Sequence, residues 1–536
     1  MLQWLLVTVA LAPAATATAP RALWDLWPSA RVVETPAPCL RPADLTAALQ
    51  ALVAAHPGHL TLEEVGRSFE GRPIHLLKAG TGARHVLLWS QMHGDEPSAT
   101  PALLDVASYL ASRDEPAARR VLDELTLLMV PMLNPDGAQR YERRNAQAID
   151  VNRDALSLAT PEGQLLKRLR DRYRPVLGFN LHDQNRRTAV GDTGVLATIA
   201  LLAVAGDPQG TLTPARARAR RICAALVAAL APFVPGGIAR YDEDWSPRAF
   251  GDNLTAWGTP VVLIESGGLP PGRPWTDLTR LNFVGLLTAL AALAEDDARR
   301  HDPSAYEGLR RNDTNVWFDV VLRGGEVVQP ETARPYRADV AFDRRASDQF
   351  RVGCAPEPAG SRVAEIGDAR FAGAGQTIDA TGTVLVPSFV ASVEGLDARH
   401  WLTPDALRAL GRFGVGTVRW HVPDADARAA AAHAASVAAA GVPLIVPAAP
   451  GESASPLLLS AAPGPARPAT LGAALDALGP GWRVRLGGRA LLAALAPRLV
   501  PDAPANLVQL RPGAGGMADP DDARIERVWI DGRPVP

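Results

Sequence analysis

The sequence predicts an α/β protein: a three-layer α/β/α sandwich around a mixed, mostly parallel central sheet, followed by a smaller β-rich α/β accessory domain. Three observations predict it. The chain has 536 residues, too many for one ordinary domain, and 47% of them are apolar, enough for sizeable cores. Between residues 40 and 295, short apolar runs alternate with helix-length segments, the pattern of strands covered by helices. Beyond a charged stretch at 296–311 the texture changes to strands and glycine turns. The expected division is 1–17 as an export signal, 40–295 as the main domain, 296–311 as a linker and 312–536 as the accessory domain.

In order, 42–57 reads as a helix capped near Asp44, and 63–77 as a strand pair turning at Glu70-Gly71-Arg72-Pro73. The apolar run 85–90 is a buried strand, followed by helices over 103–112 and 116–122. A second apolar strand covers 125–130. The polar stretch 139–154 is loop, and 161–174 is an amphipathic helix. Strands at 176–181 and 260–264 are separated by a helix at 215–230, and an apolar helix at 279–294 closes the domain.

The strand ends carry the chemistry. His93-Gly94-Asp95-Glu96 follows the first of these apolar strands, His182 the third and Glu265 the fourth. In α/β proteins that edge is where sites are built. A His and a Glu three apart in a tight turn can reach one ion, and zinc accepts both donor types. Between them lie Asn134-Pro135-Asp136-Gly137, Arg143-Arg144-Asn145 and Asp150-Val151-Asn152-Arg153-Asp154.

HGDE, NPDG, RRN, DVNRD, NLHD and IESGG, in that order, resemble the zinc carboxypeptidases of the carboxypeptidase A type over about residues 40–295. The resemblance implies a carboxypeptidase-like fold with one zinc ion held by His93, Glu96 and His182. It implies Glu265 as the general base, and Asn152 with Arg153 as the pair that holds a substrate's terminal carboxylate. Asp150 matches the carboxylate that orients a zinc histidine. Arg143 resembles the arginine that stabilises the oxyanion, with Arg144 beside it as the alternative. Tyr241 is the nearest match to the tyrosine that closes over substrate. Segment 246–253 fixes no side-chain preference. The implied activity is removal of C-terminal residues from a peptide or peptide-like substrate with a free terminal carboxylate. An amidase on cell-wall peptides or N-acyl amino acids, as in the aspartoacylase-like relatives, stays open, as does a binding protein with an inactive site.

In the second half, 317–330 reads as a hairpin centred on Gly324-Gly325, 378–390 as β-rich, and 525–535 as a hairpin turning at Asp531-Gly532. These pieces resemble the split β-sandwich that flanks the barrel of the amidohydrolase family. The HxH metal pair of that family is absent after Val386-Pro387-Ser388-Phe389-Val390, and no lysine follows Lys167. His400, His421 and His433 lack ligand-like spacing. This half therefore reads as a degenerate, metal-free domain with a partial barrel.

The formal net charge of −2 argues against a nucleic-acid partner. The apolar start, ending in small residues near Ala17, resembles a secretory signal, so the protein is expected in the periplasm or outside the cell, with no membrane-spanning segment after its removal. Cys39, Cys223 and Cys354 form no metal or disulfide framework, and their odd number leaves at least one unpaired within the chain. The sequence does not set the oligomeric state.

Overall fold

In the computed structural model the chain divides into two compact units, the first reaching Trp317 and the second starting at Phe318. The structure describes residues 19–313 apart from 36, 113–114, 242–243 and 296–299. Beyond them it describes 317–327, 336–344, 361–369, 372–381, 384–387, 389–394, 415–421, 444–447, 507–511, 524–530 and 533–534. The export signal, Cys354, His400 and His433 lie outside the described residues.

The first unit begins with α1 (Pro20–Ala30), α2 (Pro42–Ala55), β1 (Leu60–Arg67), β2 (Pro73–Ala79) and β3 (Arg84–Ser90). Next come α3 (Ala99–Ser112), α4 (Pro116–Glu124), β4 (Leu125–Val130), α5 (Pro135–Arg140), α6 (Pro161–Tyr173) and β5 (Leu177–Asp183). It continues through β6 (Ala189–Val190), β7 (Ile199–Ala203), α7 (Pro214–Leu230), β8 (Ile238–Arg240), α8 (Phe250–Ala256) and β9 (Val261–Ser266). It ends with α9 (Thr276–Ala294), α10 (Ser304–Glu307) and β10 (Asn312–Asp313).

Eight of these strands form one mixed sheet in the order β1-β2-β4-β3-β5-β9-β7-β8. The four central strands β4, β3, β5 and β9 run parallel to one another, and β2 and β7 flank them antiparallel. Because both faces of β5 and β9 are covered, nearly every residue in them is buried, which is why the sequence shows continuous apolar runs and not alternation. One face packs on α1, α2, α3, α7 and α9 through Leu23, Leu49, Leu103, Ile222 and Leu286. The other packs on α6 and α8 through Leu166, Leu169, Phe250 and Leu254. This is the expected three-layer sandwich. Helix α9 is long and apolar enough to cross a membrane, but most of it is buried in this core. Cys39 and Cys223 are both buried.

Asp105 on α3 fastens α1, accepting from Trp27 Nε1 and Val32 N, both at 2.9 Å. Burial pushes its carboxyl up to about 7, against the pull of those two bonds. A folded value above the ordinary ~4 means that its contribution is full below pH ~4 and is lost as pH rises through the folded value. The expected outcome in urea unfolding is that the stability margin of wild type over Asp105→Asn narrows across that window. A margin that stays constant with pH contradicts the assignment.

Two features differ from the sequence reading. Segment 296–311, read from its charge as a linker, is packed on the first unit over its described part. Tyr306 in α10 is fully buried, and its hydroxyl accepts from Ala203 N at 3.0 Å. The expected hairpin at 317–330 is a single strand, β11 (Trp317–Val327), which pairs with β12 (Tyr336–Arg344). Gly324, at φ +68°, sits in a bulge where the register shifts between Leu322 and Gly325. Its N–H donates to Asp339 Oδ1 at 2.8 Å, so a carboxylate on the partner strand fills the kink that the glycines make possible.

The second unit is β-rich. Its further strands are β13 (Ser361–Gly367), β14 (Gly373–Asp379), β15 (Val384–Pro387), β16 (Phe389–Glu394), β17 (Val415–His421), β18 (Leu444–Pro447), β19 (Leu507–Arg511), β20 (Arg524–Ile530) and β21 (Arg533–Pro534). One sheet runs β13-β12-β11-β15-β19-β20-β21 with β14 on β11, and β16, β17 and β18 form a separate parallel sheet. Ile530 pairs with Arg533 as the last hairpin predicts, although its two turn residues lie outside the described set.

Candidate active site

Strand register builds the site. β5 and β9 are parallel neighbours in which His182 is the direct partner of Glu265, so the third and fourth strand ends present their side chains together. β3 lies on the other side of β5 and ends at Ser90. Gln91 then takes a left-handed φ of +47°, and its side chain holds the turn by donating to Gly94 O at 3.0 Å and accepting from Thr100 Oγ1 at 2.8 Å. That turn aims His93 and Glu96 at His182.

The NPDG stretch is stitched to the same turn. Leu133 N donates to Ser90 O at 3.1 Å and Asn134 N to Gln91 O at 2.9 Å. Asn134 then caps α5 by accepting from Gly137 N at 2.9 Å. Asp136 is fully buried and accepts from Ser68 Oγ, Glu70 N and the Arg72 guanidinium, tying the β1–β2 turn beneath the site. Of the matched motifs, NPDG thus serves as support.

His93, Glu96 and His182 converge as a buried cluster. Glu96 Oε1 lies 2.8 Å from His93 Nδ1, and Oε2 lies 2.6 Å from His182 Nδ1. Asp150 Oδ1 is 3.0 Å from His93 Nε2. In the neutral ring, with Nε2–H donating to Asp150, the Nδ1 lone pair of His93 faces the cluster, the tautomer a metal ligand needs. Two imidazole nitrogens and one carboxylate converging in this way fit zinc. Glu265 Oε2 is buried with no hydrogen-bond partner, and so is His182 Nε2.

The electrostatics follow from burial and mutual proximity. Burial pulls the His93 imidazolium down, but Glu96 and Asp150 outweigh it and raise the group to about 9. Burial pushes Glu96 up, yet the two imidazoles hold it well below the carboxylate range. Burial lowers His182 despite Glu96. Burial, then the charges of Glu96 and Asp183, push Glu265 well above its ordinary value. A hydrogen bond from Tyr241 acts the other way on Glu265.

All nine residues singled out from the sequence lie in this region. A pocket of about 780 Å³ is lined by His93, Glu96, His182, Glu265, Arg143, Asn152, Arg153 and Tyr241, with Asp150 against His93 behind it. Arg143 donates to Glu96 Oε1 and pairs with Asp150 Oδ2, each at 3.0 Å. Arg144 turns away to Ala148 O at 3.0 Å. Asn152 Oδ1 accepts from Phe250 N at 2.9 Å, joining the DVNRD loop to α8.

Residues 45–174 match a family model described as zinc carboxypeptidase. Over that stretch the chain is similar to the zinc carboxypeptidases. The match contains His93, Glu96, Arg143, Asp150, Asn152 and Arg153, while His182 and Glu265 lie beyond it and join the site through the sheet. Carboxypeptidase 2 of Trichophyton rubrum is 30% identical over 147 residues, 26% of each chain. Carboxypeptidase A2 of Mus musculus is 34% identical over 90 residues, 16% of this chain and 22% of that one. The matches thus span about a quarter of the length of the curated relatives. A metallo-carboxypeptidase structure from Burkholderia cenocepacia aligns over 48% of this chain and 69% of its own, at 20% identity and a TM-score of 0.39.

Sequence reasoning missed several residues of this site. Asp183 is one: its N–H donates to Glu96 Oε2 at 3.3 Å, and its carboxylate accepts from Ser98 Oγ at 2.8 Å. Its place directly after His182 in NLHD was the available signal. Gln184, Arg311, Asn312 and Asp313 also line the pocket. The last three sit in or beside the stretch read as a linker, and no local pattern marks them. Asp150→Ala should weaken zinc affinity about 10–100-fold by freeing the His93 ring. Competition with a chelator measures this, and unchanged affinity would remove Asp150 from the account.

Proposed function

We propose that this chain is a zinc-dependent metallocarboxypeptidase that hydrolyses C-terminal peptide bonds, with His93, Glu96 and His182 holding one zinc ion. The observation that carries the reading is the register pairing of His182 with Glu265, in a pocket that also contains Arg153. Bound zinc supplies Lewis-acid polarisation of a carbonyl and lowers the pKa of water toward neutrality.

The chain's own groups do the rest. Arg153 grips the substrate's terminal carboxylate bidentately, as a planar guanidinium can, and Asn152 fixes the loop that carries it. Glu265 takes a proton from the attacking water and delivers it to the leaving nitrogen. Arg143 offers its guanidinium to the oxygen on which negative charge develops. Tyr241 holds the Glu265 carboxyl in place. Export of the protein rests on the apolar run 1–17, and a mature N-terminus near residue 18 would support it.

The test is a panel of peptides with free or amidated C-termini, N-acyl amino acids and cell-wall peptides, read by mass spectrometry with zinc-loaded protein. Release of single C-terminal residues from free-acid peptides alone is expected. Cleavage confined to acyl amino acids or cell-wall peptides would make the protein an amidase instead. No cleavage of any member would leave a binding protein.

A further inference from the structure

The charged stretch after α10 does more than lead the chain away. Its backbone is pinned at several points. Gly191 N donates to Arg311 O at 2.7 Å, and Arg240 N donates to Arg310 O at 2.8 Å. Asn312 and Asp313 pair with Val190 and Ala189 in an antiparallel ladder. Upstream, buried Tyr306 anchors the segment to β7. Because main-chain bonds fix this strand, its side chains take set positions along the pocket, and Arg311, Asn312 and Asp313 all line it. Asn312 Nδ2 also donates to Gln184 Oε1 at 3.1 Å, two residues beyond the ligand His182.

The pocket, at about 780 Å³, has room for more than one residue of a substrate. Besides the zinc cluster and Glu265, two sets of lining residues bear on substrate placement. One holds Arg153, with Asn152 tied to α8 through Phe250 N. The other is the Gln184–Asn312 pair with Arg311 beside it.

We propose that Arg311, held at the pocket by the strand that follows α10, binds a main-chain carbonyl of the substrate N-terminal to the scissile bond. The inference rests on the carboxypeptidase reading. With the terminal carboxylate at Arg153, the preceding residues run past the zinc cluster along the other group of lining residues. A guanidinium suits that task because its fork of donors reaches carbonyl oxygens in a fixed geometry. The stretch of the first unit that follows α10 is then part of the active site, and substrate length becomes a determinant of turnover.

The experiment compares a formyl-blocked dipeptide with a tetrapeptide sharing its last two residues. The proteins are full-length, zinc-loaded wild type, Arg311→Ala and Arg311→Lys. The tetrapeptide-to-dipeptide ratio of kcat/KM should fall about tenfold in Arg311→Ala, carried by KM, and recover in part in Arg311→Lys. The same ratio, measured as Kd by calorimetry in a Glu265→Gln background, should move in parallel without turnover. An unchanged ratio in Arg311→Ala overturns the subsite while leaving the carboxypeptidase reading intact. Wild type that cleaves neither peptide overturns that reading and the subsite with it.

Discussion

Glu265→Gln lowers kcat about 10²–10⁴-fold, the range expected for loss of a positioned general base, while zinc content stays at the wild-type level. The substitution keeps the shape of the side chain and removes only its capacity to take a proton. Glu265 is buried, and its Oε2 has no hydrogen-bond partner, so the amide breaks no bond at that atom. Glu265 also stands outside the His93, Glu96 and His182 cluster, although its strand position is in register with His182. Loss of activity with metal retained is therefore the specific signature. Steady-state kinetics beside metal analysis measure both. A variant that keeps wild-type kcat would remove Glu265 from the chemistry, and one that loses zinc would make it a ligand.

Gly94→Ala destabilises the first unit by about 3 kcal/mol, the upper end of the usual cost of overpacking, and weakens zinc binding as well. A Cβ at Gly94 would lie 2.0 Å from Gly137 C and 2.3 Å from Ala138 N. Both are backbone atoms of α5, and Leu133 and Asn134, which lead into it, donate to Ser90 O and Gln91 O, so neither side has freedom to retreat. Relief requires moving the turn that carries His93 and Glu96, which is why stability and metal affinity should fall together. Urea unfolding and zinc titration measure the two effects. Wild-type values in both would show that the turn and α5 do not bear on each other as described. The glycines of HGDE and NPDG are thus two halves of one close approach.

Much of the first unit was legible because burial on both faces of a parallel strand writes a continuous apolar run, as at 85–90 and 176–181. The cluster of His93, Glu96 and His182 was legible because its residues stand at strand ends inside ordered motifs. Elements whose formation depends on distant partners were not. Strand β7 is a short apolar run that periodicity alone does not separate from helix. The choice between Arg143 and Arg144 turns on a loop path, set by the Asp150 and Glu96 carboxylates that receive Arg143. The stretch 300–313 is charged and reads as solvated, yet its main chain and Tyr306 hold it to the first unit. Gly324 and Gly325 read as a hairpin turn, whereas Asp339, fifteen residues after Gly324, makes them a bulge.

The most direct test of the central claim is the anomalous difference density of a crystal measured across the zinc absorption edge. The account predicts one zinc peak in the first unit, bonded to Nδ1 of His93, Nδ1 of His182 and the Glu96 carboxylate at ~2.0–2.2 Å. No peak among these three residues in zinc-supplemented crystals, or a peak held by other side chains, would contradict it.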